Sequence, residues 1–278
     1  MKIPAKKTVW RYFGVCLVAA VVTTFVIRKN HPSAPVTPLR DYAEINRKHL
    51  LRAVTEYNSI AFYADGDTVS GFYYALAQAF ARSHGWQLDI VPEMTFNRRL
   101  EGLLTGKYDL IAYGIPVTDR LKDSLLFTTP IILSKQVLVQ RRATSPHDSL
   151  YIRSQLDLAG RLLHVVKDSP AILRIANLSN EIGDTIYVKE VEDYGPEQLI
   201  SLVAHGDIDY VVCDENVARA AQDSLPQIDI DMDISFTQFY AWGVSKESPV
   251  LLDSLNAWLA DYLQTREYRT LRKKYFSN

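Results

Sequence analysis

Two carboxylates and one hydroxyl carry most of the chemistry that the sequence offers. Glu56 lies at the end of the first strand candidate, within Leu51–Tyr57, and Asp214 ends the apolar strand Tyr210–Cys213. A carboxylate at an open strand end suits an ammonium group, with which it forms charge-assisted hydrogen bonds. The same aspartate can instead cap the helix that starts near Asn216, and Glu56 can be a solvated loop carboxylate. Ser169 lies near a helix start, where a hydroxyl and unpaired backbone N–H groups favour an anion. Thr118 is a turn hydroxyl. Tyr63, Tyr113 and Trp242 are aromatics able to wall a pocket or to fill a core.

Other chemistries fail on inventory. His31, His49, His84, His147, His164 and His205 show no metal-ligand spacing, so no metal site is expected. The sequence holds no Gly-rich phosphate loop, no Gly-x-Ser-x-Gly elbow and no paired nucleophile, and it calls for no cofactor. The formal net charge of −1 and the lack of a basic stripe with interleaved aromatics argue against nucleic acid. Cys16 and Cys213, the two cysteines, lie in an apolar stretch and a core strand, and no internal disulfide is expected.

These groups need a scaffold, and the chain supplies one beyond its N-terminus. Lys2, Lys6, Lys7 and Arg11 precede the uncharged run Tyr12–Ile27, which Arg28 and Lys29 close. Counted from Val9, that stretch just reaches the length of a spanning helix. A cleaved signal peptide is the alternative, but its candidate site Pro32-Ser33-Ala34 is followed by Pro35, which blocks cleavage. The expectation is an uncleaved anchor over residues 1–28, with its basic flank in the cytoplasm and the rest periplasmic, so an inner-membrane location. Residues 29–39 are proline-rich and polar and read as a tether.

From residue 40 onward, strand and helix patterns alternate. Helical spacing marks Ser70–His84, Phe96–Thr105, Asp168–Leu178, Pro196–His205, Pro249–Leu263 and Arg266–Tyr275. Strands are expected at Trp86–Val91, Tyr108–Tyr113, Arg161–Lys167 and Ile186–Glu190. The stretch LLTGKYDLIAYG (103–114) is echoed by LVAHGDIDYVVCD (202–214), with Gly106 matching Gly206 and Asp109 matching Asp209. A repeat at this period is far longer than a solenoid unit and fits two similar α/β lobes.

The ordered set of Gly71-Phe72, GKYDLIAYGIPVTDR (106–120), Phe127 with Pro130, GDIDYVVCDENVA (206–218) and KKYF (273–276) resembles the family-3 bacterial solute-binding proteins. More narrowly, RDYAEINRKHLLRAVTEYNS (40–59) and YAWGV (240–244) look like the binding module of the membrane-bound lytic murein transglycosylases F. Nothing resembles the Glu-Ser catalytic motif of those enzymes, since Glu247-Ser248 is followed by Pro249, so a non-catalytic protein is expected.

The resemblance implies a periplasmic-binding-protein-like α/β fold over residues 40–278, with two lobes and a ligand cleft. Lobe one is expected at about 40–141 and 242–278, and lobe two at about 146–236. The hinge crossings then fall near Gln140–Pro146 and Phe236–Trp242. It also implies ligand contacts by Glu56, Tyr113, Thr118, Ser169, Asp214 and Trp242, with Asp214 taking an ammonium. The arginine that the family places three residues after the Thr118 position is Leu121 here, and Arg120 is one residue early. The expected ligand is therefore a small amine-bearing solute, amino acid-like or a cell-wall-derived peptide, bound for transport or sensing, with a permease or a cell-wall enzyme as partner. The alternatives are a regulatory partner of cell-wall enzymes with a degenerate cleft, and a cleft-type lyase using Glu56 with Asp214.

Overall fold

The computed structural model describes residues 38–276. The expected anchor over 1–28 and nearly all of the tether lie outside them. No helix among the described residues is long and apolar enough to cross a membrane.

The first lobe is built on a mixed sheet. Strands β1 (Leu50–Thr55), β4 (Gln87–Pro92) and β5 (Leu110–Pro116) run parallel, with β1 in the middle. Leu51, Ala53 and Val54 of β1 and Leu110, Ile111 and Ala112 of β5 are fully buried, as strands covered on both faces must be. A hairpin of β2 (Tyr63–Asp65) and β3 (Thr68–Ser70) leads into helix α2 (Phe72–Ser83). Helix α2 buries Phe72, Tyr73, Leu76, Ala77 and Phe80 on one stripe.

Helix α1 (Tyr42–Lys48) precedes β1 and is capped by Asp41, whose carboxylate accepts from the Tyr42 N–H at 2.7 Å. The same carboxylate accepts from the Leu251 N–H at 2.7 Å, which ties α1 to the start of the late helix at Pro249–Tyr262.

Helix α3 (Phe96–Leu104) leads to β5, and the short α4 (Asp119–Lys122) leads to β6 (Leu125–Phe127) and β7 (Ile132–Ser134). After β8 (Gln136–Arg141) the chain builds the second sheet. It contains β9 (Leu162–Val166), helix α5 (Ala171–Ile182), β10 (Tyr187–Val191), helix α6 (Pro196–His205), β11 (Val211–Asp214), helix α7 (Glu215–Gln222) and β12 (Ile228–Asp233). The strand order is β10-β9-β11-β8-β12, with β8 antiparallel to both of its neighbours. Strand β13 (Gln238–Ser245) then returns to the first sheet, antiparallel to β5, β6 and β7. Helices α8 (Pro249–Tyr262) and α9 (Arg266–Tyr275) close the lobe.

Strand pairing moves the first crossing. β8 belongs to lobe two, so the chain passes over at Lys135 rather than at Gln140–Pro146. The polar, proline-bearing stretch after Arg141 has the composition of a hinge, but the buried Val137-Leu138-Val139 run is pinned to β11 before it begins. The return crossing spans the residues between Asp233 and Gln238, slightly earlier than Phe236–Trp242. Lys135 ties the two crossings together, with its Nζ 2.7 Å from Asp233.

The internal echo is a structural one. Gly106 (φ 75°) and Gly206 (φ 87°) both adopt the left-handed conformation after a helix, where a side chain would be strained. Asp109 and Asp209 then stand just before β5 and β11, and each holds an arginine from a neighbouring strand.

Candidate functional site

A cavity of about 60 Å³ lies where the strand ends of both lobes meet. The C-terminal ends of β5 and β11 open into it, together with Glu56 after β1 and the start of α5. This is where open α/β sheets hold ligands, because strand ends and helix N-termini converge there. The lobes are closed over it. The Ser59 N–H donates to Glu197 Oε1 at 2.9 Å, Arg98 lies 3.5 Å from Glu192, and Gly195 sits so near Met94 that a Cβ would approach its Cε to 2.6 Å.

Asp214 lines this cavity and also caps α7. Its Oδ1 accepts from the backbone N–H and the side-chain amide of Asn216 at 2.9 and 3.1 Å. Its Oδ2 accepts from the Ser134 hydroxyl at 2.9 Å. Tyr240, whose hydroxyl accepts from Gln136 Nε2 at 2.8 Å, lines the same cavity. The bonds from Asn216 and Ser134 favour the carboxylate, yet burial outweighs them and pushes the Asp214 carboxyl up to about 6. No cationic side chain among the described residues pairs with Asp214.

Glu56 is not a solvated loop acid. It is 8% exposed, its Oε2 lies 2.9 Å from Arg99 Nη2, and its Oε1 accepts from Asn58 Nδ2 at 3.0 Å. Tyr113 also lines the cavity, 5.2 Å from the Arg99 guanidinium carbon, and burial raises its hydroxyl pKa well above the ordinary value, with Glu56 and Asp214 adding to the rise. Ser169 lines the cavity as expected, and its Oγ accepts from the Ala171 N–H at 3.2 Å at the start of α5.

Two expected contacts are corrected. Trp242 is fully buried in the core of lobe one, because its part of β13 is covered on both faces, and Tyr240 lines the cavity in its place. Thr118 caps α4, accepting from the Leu121 N–H at 3.4 Å, and lines an outer cavity of about 450 Å³ that Arg120 and Leu121 share. Tyr63 lies on the small hairpin beside Tyr275 rather than in the cleft.

Arg99 is the residue that sequence reasoning missed. It is 2% exposed and shares the inward face of α3 with Phe96. The spacing of three from Phe96 marks that face, but a charged residue there reads as solvated. Tyr73 was also missed. Its hydroxyl lies against Gly114, where a Cβ would come within 2.0 Å of it, so only glycine fits that place in β5.

With this geometry in place, residues 51–278 match the bacterial extracellular solute-binding proteins, family 3. The chain belongs to that family. It is 28% identical over 250 residues to the membrane-bound lytic murein transglycosylase F of Photobacterium profundum, a match covering 86% of this chain and 46% of that protein. This family-3 chain thus spans about half the length of the curated relatives it matches. Among solved structures, holo ArgBP from T. maritima is 26% identical with a TM-score of 0.68, covering 84% of this chain and 99% of that one. Tv2483 bound to L-arginine has a TM-score of 0.75 at 19% identity, covering 85% of this chain and 94% of that one, a likeness of fold.

Proposed function

We propose that this domain binds a small amine-bearing solute in its interlobe cleft and does no chemistry on it. Asp214 carries the reading. Of the charged groups lining the inner cavity, Glu56 is matched by Arg99, and Lys167 is matched by Glu192 at 2.7 Å. Among these cavity-lining groups Asp214 alone has no countercharge, and a bound ammonium relieves that cost. A similar fold holds L-arginine in Tv2483, which supports an amino acid-like ligand. A cleft lyase that uses Glu56 together with Asp214 is disfavoured, because Glu56 is paired with Arg99.

In the same reading the N-terminal apolar segment anchors the domain at the inner membrane, with the cleft on the periplasmic side. The bound solute is then passed to a permease or reported to a cell-wall enzyme. The second role is favoured by the match to the transglycosylase F relatives, of which this chain covers about half.

Native mass spectrometry of the freshly purified soluble domain tests the proposal. A co-purified amine, displaced by Asp214→Asn, supports it. An empty protein with no thermal shift across a library of amino acids and amines would point to a degenerate cleft that acts only as a protein partner.

A further inference from the structure

Resting on the amine-binding reading, the geometry points to a zwitterionic ligand whose carboxylate is held by Arg99. Arg99 is an unusual residue for a cleft wall. A guanidinium is almost never fully buried unless every part of it is satisfied, and Arg99 is 2% exposed.

Three features define what it has left to offer. Its Nη1 donates to the carbonyls of Glu93 and Met94 at 2.6 and 3.1 Å, which clamps that edge of the group. Its Nη2 lies 2.9 Å from Glu56 Oε2. Its Nε–H has no acceptor among the described residues, in a place where an unmade hydrogen bond is costly. The edge formed by Nε and Nη2 is the one that a carboxylate engages with two parallel hydrogen bonds. The Tyr113 ring, 5.2 Å away, holds the guanidinium plane in position.

Arg99 lines the same small cavity as Asp214. One wall therefore offers an unpaired acid and the other a base with an unmet donor. A molecule with an ammonium and a carboxylate close together answers both, and a cavity of about 60 Å³ favours a compact one. Glu56 then acts as a resident competitor for the guanidinium, which a ligand carboxylate must share or displace.

Matched pairs of compact compounds test this: L-alanine against ethylamine, and L-valine against isobutylamine, each pair differing by the carboxylate. Calorimetry on the wild-type domain should show the amino acid of the better-bound pair at least about tenfold tighter than its amine. Arg99→Gln should shrink that gap to within about threefold. Because Arg99→Gln disturbs a buried pair, Glu56→Gln provides the independent arm. It frees the guanidinium and should widen the gap, whereas a purely structural Arg99 leaves the gap unchanged. Equal binding of amino acid and amine by the wild type overturns the role of Arg99 and leaves the amine reading standing. Binding of neither class overturns both.

Discussion

The two lobes use the same joint and load it differently. In each, a helix ends at a left-handed glycine, an aspartate follows, and a buried strand runs to the cleft. In lobe one that aspartate, Asp109, is 3% exposed and shared by Arg40 and Arg52. In lobe two Asp209 is paired with Arg141 alone, and its side chain is 46% exposed. At the other end of the strands the contrast repeats. Lobe one neutralises its cleft acid, Glu56, with Arg99, whereas lobe two leaves Asp214 with hydrogen bonds only. Lobe one matches both of these acids with arginines, and in the proposed reading the unmatched Asp214 is the one a ligand answers.

That contrast is open to being broken, beginning with the joints. Asp109→Asn should destabilise the domain by about 3–5 kcal/mol, because it strands two arginines in a buried site. Asp209→Asn should change stability by under about 1 kcal/mol, as expected for a partly exposed pair. Urea titrations of both variants check the difference, and equal losses would mean that the two joints are equivalent.

At the cleft, Asp214→Asn should weaken binding of an amine by about 2–5 kcal/mol, read by calorimetry. The same variant should raise the melting temperature of the free domain at neutral pH. The folded-state carboxyl sits at about 6 while an unfolded aspartate titrates near 4, so the folded state takes up the proton first. Asp214 therefore lowers stability progressively as pH rises from about 4 to about 6, and the full penalty persists above that. Asparagine removes the penalty and keeps the helix cap.

A smaller effect is expected in β5. Gly114→Ala should cost about 1–3 kcal/mol, because the new methyl group meets the Tyr73 hydroxyl at 2.0 Å and the buried ring must shift. Thermal melts of this variant, with and without Tyr73→Phe, sharpen the point. Relief by the double change ties the loss to that contact.

Much of this architecture was legible in the sequence, and the reasons are local. Proline at the first position and glycine after the last delimit α6 at Pro196–His205, and the Gly106/Gly206 echo marks the two lobes in the sequence itself. Asp214 was legible for the same reason, since a strand ending in an acid before a helix has few roles. What failed depended on tertiary packing. The aromatic set Tyr240, Trp242 gives no sign of which ring faces the cleft, and only the covering of β13 decides it. The polar stretch after Arg141 reads as a hinge although β8 is already paired within lobe two. Arg99 became visible only when α3 was laid against the end of β1, where Glu56 meets it.

The central claim is that Asp214 holds an ammonium with its ionised carboxylate, and a pH series of binding tests it most directly. A compact amino acid, L-alanine, is titrated by calorimetry between pH 5 and pH 8, a range set by a carboxyl at about 6. Affinity should be level above that value and fall by up to about tenfold per pH unit below it, with a proton released on binding. Asp214→Asn should flatten the profile. Affinity that is independent of pH in the wild type, or that rises on acidification, would contradict the account.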